Sequence, residues 1–144
     1  MSLEVLEAKI ALSELVGKFS ILEVDVPAQM KLFTPDTRVK VYMGDTLAFD
    51  ISGVEELEKI FSQFTATVKR SHHMNGQFVS EVDGDTAKGT LYCNATLVTE
   101  ENGEEVITEN LIYYNDTYVC QDGKWLIKSR ESHFTIVDKR VIGK

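Results

Sequence analysis

The chain has 144 residues, 43% of them hydrophobic and 26% charged, the make-up of one globular domain with a single core; wholesale disorder is excluded. A net charge of −8 with no cluster of Lys and Arg argues against nucleic acid as a partner. No apolar run approaches the roughly 20 residues of a membrane span, and the acidic, amphipathic start does not read as an export signal, so a cytoplasmic protein without membrane contact is expected.

Leu3, Leu6, Ile10, Leu12, Leu15, Val16 and Phe19 recur at helical spacing, which predicts an amphipathic helix over residues 3–22. Asp25 before Val26-Pro27 reads as the N-cap of a short second helix, 27–33, stopped by a turn at Thr34-Pro35-Asp36-Thr37. Residues 38–43 alternate as a strand, Gly44-Asp45 turns, and 46–51 return. Ser52 is the expected N-cap of a third helix, 54–64, buried through Leu57, Ile60, Phe61 and Phe64. The remainder is strand: 68–82, 86–99, 105–120 and 125–136, joined at Asp83-Gly84-Asp85, Asn102-Gly103 and Asp122-Gly123.

The stretch SHHMNGQFVSEVDGDTAKGTLYC, 71–93, organises this pattern. After its turn, Ala87, Gly89, Leu91, Cys93, Ala95 and Leu97 form a small-to-apolar stripe at spacing two, one face of a half-buried strand. Small inward residues leave volume to be filled by a ligand or by helix side chains. Cys93 and Cys120 read as reduced packing residues, and no spacing of His, Cys, Asp or Glu suggests a metal. Helices laid across one face of a long, curved antiparallel sheet give an α+β cone whose mouth suits a small molecule. The other face, with Tyr92, Val98, Tyr113 and Val119, is the expected dimer surface.

Several segments together resemble a known family. They are the helix ending before Asp25, LFTPD at 32–36, Gly53-Val54-Glu55-Glu56-Leu57, the 72–93 stretch, Tyr114-Asn115-Asp116-Thr117-Tyr118, and DGKWLIKSR at 122–130. The pattern resembles the SnoaL-like branch of the nuclear-transport-factor-2-like (NTF2-like) superfamily, near scytalone dehydratase and the bile-acid 7α-dehydratases. The resemblance implies an NTF2-like cone of α+β class, about three helices on the concave face of the sheet, an apolar pocket and a homodimer through the sheet.

It also implies proton-transfer chemistry at a histidine opening the third strand, helped by an acid and a tyrosine from the first helix. Carried over by position the histidine is His73, with His72 beside it; alternation lets one of the two face the pocket. The acid position falls among Ile21, Leu22 and Glu23, with Leu22 the closest match, and the tyrosine position at Ile21 or Phe19, so both helpers are expected to be missing. Glu23, at a helix end, is expected to be solvated.

Asp116 and Tyr114 share a strand face; Asp116 can orient His73 in place of the missing acid, or pair with Arg130 on the next strand. His72, Asn75, Phe19, Leu22, Leu91 and Glu109 complete the candidate ligand-binding set. Two functions follow. One is a cofactor-independent, dehydratase-like lyase or isomerase acting on a small hydrophobic molecule, with His73 as base and Tyr114 and Asp116 assisting. The other is a binding or assembly domain that has lost the acid.

Overall fold

Alternation of buried and exposed side chains along four long strands sets the architecture. The computed structural model describes residues 1–144. Helices α1 (Leu3–Leu22), α2 (Val26–Met30) and α3 (Val54–Thr65) cover one face of a six-stranded sheet. The strands are β1 (Phe33–Met43), β2 (Thr46–Ser52), β3 (Arg70–Asp83), β4 (Thr86–Glu101), β5 (Glu104–Gln121) and β6 (Lys124–Val141), ordered β2-β1-β6-β5-β4-β3. Every neighbouring pair is antiparallel except β1 and β6, which run parallel, so the sheet is mixed. No helix is long and apolar enough to cross a membrane.

The hairpins behave as their turn residues dictate. Asn102-Gly103 and Asp122-Gly123 both take positive φ at each position, the geometry that continues the twist of paired strands. Asp25 caps α2, its carboxylate accepting from the amide of Ala28 at 3.3 Å. Several expectations fail, among them the second helix, which ends at Met30 and not at residue 33, and Phe64 of α3, which stands exposed. Ser52 does not cap α3: it still belongs to β2, and Gly53, at φ 89°, takes the corner. Residues 34–37 are not a turn. They lie inside β1 as a bulge, where the ladder to β6 skips from Phe33 to Arg38 around Pro35, which has no N–H to give. Nor do the apolar residues of α1 form one stripe. Leu12, Leu15, Val16 and Phe19 are buried, while Leu3, Leu6 and Ile10 fall on the opposite side of the helix and stay exposed.

A continuous core joins residues of all three helices to the inner face of the sheet. The volume above Gly89 is taken by the rings of Phe78 and Tyr118 from the neighbouring strands, set edge to face, so the sheet itself fills the gap left by its small residues. A Cβ at Gly89 would lie 2.8 Å from the Phe78 ring, 3.2 Å from the Tyr118 ring and 3.2 Å from the carbonyl oxygen of Val79. Gly89→Ala is therefore expected to destabilise the fold by about 1–3 kcal/mol, read as a lower urea midpoint with unchanged slope.

On the outer face, Tyr42, His133 and Tyr113 stack ring on ring across β1, β6 and β5, with centroids 4.8 and 4.5 Å apart. Tyr92 continues the row on β4 and is exposed. Val98, expected on this face as part of a dimer surface, is buried, and Val119 is half-buried.

Candidate active site

Alternation on β3 decides between the paired histidines. Ser71, His73 and Asn75 point inward and are half-buried; His72 and Met74 point outward and are exposed. His72 therefore leaves the candidate ligand set. A bulge between Asn75 and Phe78 follows, so the inward phase resumes at Phe78.

The carboxylate that meets His73 is Glu23, one of the three positions over which the resemblance placed the acid. Helix α1 ends at Leu22, and Glu23 adopts φ 38°, ψ −89°, which turns its side chain back against the start of β3. Its Oε1 accepts the backbone N–H of His73 at 2.6 Å, and its Oε2 accepts the Ser71 hydroxyl at 2.8 Å. The same Oε1 lies 3.6 Å from His73 Nδ1, a charge contact too long for a hydrogen bond, and Nδ1 is buried without a partner. Carry-over by position put the acid at Leu22, the last helical residue and one short of Glu23, where the chain leaves helical geometry. Burial holds the His73 imidazole below its ordinary pKa of 6.5, partly offset by the Glu23 charge, while the neighbouring His72 lowers it further.

A polar seam runs inward from this pair. Ser20 on α1 donates to Asn75 Oδ1 at 2.7 Å, and Asn75 Nδ2 donates to the Val16 carbonyl at 3.0 Å. Asn75 thus ties α1 to β3. Cys93 comes next, between Ser20 and Tyr114, its thiol pKa raised by burial. Tyr114 is fully buried, which pushes its phenol pKa up, and its ring lies 4.0 Å from the Arg130 guanidinium; Phe19 sits on the other side at 4.4 Å.

Asp116 does not orient His73. Its carboxylate is taken by Arg130, whose Nε and Nη2 both donate at 2.8 Å, and by the Tyr118 hydroxyl at 2.7 Å. Across the ladder Asp116 lies level with Ser80, seven residues beyond His73 on β3 and so roughly 20 Å away along the strand. Burial alone would lower the Arg130 pKa; the charge and hydrogen bonds of Asp116 outweigh it and hold the guanidinium charged. One donor, Nη1, is buried with no partner.

Of the remaining candidates, Leu91 is 1% exposed inside the core, and Leu22 is a half-buried residue packed against it. Glu109 is on the outer face, level with Thr96 and Asp138, where its carboxylate meets Arg140 at 3.1 Å; it cannot reach the inside of the cone. His73 lines neither of two hollows of about 620 Å³ each. One lies on the outer face between Arg38, Lys40, Lys88 and Glu131, the other beside the β3–β4 hairpin.

Comparison with known proteins matches this architecture. The backbone resembles a candidate scytalone dehydratase from Novosphingobium aromaticivorans, with TM-score 0.80 and 20% identity over 96% of this chain and 95% of that one. A hexachlorocyclohexane dehydrochlorinase of type 2 superposes with TM-score 0.80 at 13% identity, covering 97% and 93% of the two chains. An NTF2-like protein with a cystatin-like fold, also from N. aromaticivorans, gives 0.69 at 20% identity over 92% and 84%. No curated protein matches the sequence. The SnoaL-like domain model matches residues 23–131, from the carboxylate that faces His73 to the residue after Arg130, and the chain belongs to that family.

Proposed function

We propose that this protein is a cofactor-independent lyase or isomerase in which His73 removes a proton from carbon next to a carbonyl or a leaving group. One observation carries the reading: a half-buried imidazole whose Nδ1 faces a carboxylate held by two donors. With Nδ1 as the protonated nitrogen turned to Glu23, Nε2 keeps the lone pair and serves as base; Glu23 then stabilises the imidazolium that forms. A pKa held below 6.5 leaves the ring neutral, and so ready to accept, at neutral pH. Glu23 takes the role first given to Asp116. Tyr114, first given an assisting role, is buried in the core with Arg130 and Phe19, and this reading gives it none.

Names among the structural relatives support an elimination. A dehydratase expels water and a dehydrochlorinase expels hydrogen chloride, and both remove a proton from carbon beside the bond that breaks. The substrate class this chemistry calls for is a small, largely hydrophobic ring compound with an acidic C–H and a neighbouring hydroxyl, halide or carbonyl. The test is solvent-deuterium exchange and elimination on a panel of cyclic ketones, hydroxyketones and halogenated rings. Turnover that disappears with His73→Ala supports the reading; turnover that survives it ends it. The alternative, a non-catalytic binding or assembly domain, loses one of its two supports with the carboxylate facing His73 and keeps the other, the missing first-helix tyrosine.

The partner side of the proposal is a homodimer through the outer face. The Tyr42–His133–Tyr113 stack, extended by Tyr92 and flanked by exposed Met74, Leu111 and Ile136, gives an apolar strip there. Sedimentation is expected to find two chains, and the pair Tyr92→Glu with Leu111→Glu to give a folded single chain.

A further inference from the structure

Glu23 sits where a glutamate is disfavoured on three counts. Its φ of 38° with ψ −89° is a conformation that L residues rarely adopt. It follows directly on the C-terminal end of α1, where the helix dipole repels an anion and where the last turn carries no basic residue. Its side chain is 23% exposed, so water supplies only part of its solvation. Against these stand two donors from one strand, the Ser71 hydroxyl on Oε2 and the His73 amide on Oε1. The amide is part of the backbone of the base itself and fixes only one oxygen, about which the carboxylate can still swing. Ser71 fixes the other oxygen, and with it the direction in which the carboxylate faces.

We propose that Ser71 is a positioning residue for proton transfer: its hydroxyl holds the Glu23 carboxylate toward the His73 ring. This rests on the reading of His73 and Glu23 as the reacting pair. Charge on the ring is set by Glu23 from α1, which favours the protonated form, and by His72 on its own strand, which opposes it; burial opposes it more strongly than either. Without the Ser71 bond the Glu23 side chain relaxes toward solvent and the strained backbone lets it go. The ring then keeps its burial penalty and loses its counter-charge, so it becomes harder to protonate.

The experiment is an NMR titration of the His73 ring, with labelled histidine, in the full chain and in Ser71→Ala and Glu23→Gln. Ser71→Thr and Ser71→Val differ by a hydroxyl for a methyl and repeat the comparison at constant shape. The expected result is a midpoint that falls in Ser71→Ala and Ser71→Val toward that of Glu23→Gln, and returns to the wild-type value in Ser71→Thr. A midpoint unchanged or raised in both Ser71→Ala and Ser71→Val, with Glu23→Gln lowered, overturns the role of Ser71 and leaves the pair intact. If Glu23→Gln itself leaves the midpoint where it was, the pair is not coupled, and both readings fall.

Discussion

In His73→Ala the exchange or elimination rate on an accepted substrate is expected to fall by about 10²–10⁴-fold, the usual contribution of a positioned general base, while the protein stays folded. The side chain makes no hydrogen bond through Nδ1 and is not part of the buried core, so its loss disturbs packing little. A fall in rate that merely tracks a fall in melting temperature would assign His73 a structural role instead. The pH profile carries the sign. A base must be neutral, so the rate rises with pH through the His73 pKa, which lies below 6.5, and is level above it. Glu23→Gln removes the charge that favours the imidazolium; the rising limb then moves to lower pH, and the plateau drops because the cation formed in the transition state has lost its partner.

The same depressed pKa bears on stability. The unfolded chain protonates this histidine more readily than the folded one. The neutral ring therefore contributes stability above pH 6.5 that is lost as pH falls through the folded value.

Asp116→Ala is expected to be the most damaging single change to the fold, costing about 3–5 kcal/mol, because it strands the Arg130 charge in the interior. Arg130 is 2% exposed and Asp116 equally buried, with both guanidinium bonds at 2.8 Å, so solvent screens little of the loss. For a chain of this size the melting temperature drops by roughly 10 °C. The control is the double change Asp116→Leu with Arg130→Met, which removes both charges and fills the space; it is expected to be more stable than Asp116→Ala alone. Calorimetry on the three proteins decides the matter. A milder single than double variant would mean that the ion pair is not what holds the centre of the cone. The fraction of Asp116→Asn that remains folded should still turn over substrate, since Asp116 does not face His73. Complete loss of activity in folded protein would contradict that assignment.

Much of this was legible in the residues. Helical spacing over 3–22, the Asx-Gly turns and the alternation along four strands give most elements within two residues, because these signals are local and repeat many times; β1 starts five residues earlier and β6 runs five further than expected. Alternation also narrows the paired histidines to one inward ring. The ion pair of Asp116 with Arg130 was in view as an alternative, since adjacent hairpin strands bring them level. The outer-face position of Glu109 was not, although it follows from odd numbers on β5 pointing away from Tyr114 and Asp116. The hydroxyl of Ser71 gave no signal at all.

The sequence by itself determined the cone: period and turn chemistry are properties of neighbouring residues, and they leave one economical way to bury the apolar faces. The tertiary structure alone decided which carboxylate meets His73. That choice turns on a single residue leaving helical geometry at the end of α1, and on two hydrogen-bond donors supplied by a strand about fifty positions later in the chain. No local pattern encodes a contact of that span, because the strain at Glu23 is compensated only when the strand that supplies the donors is in place.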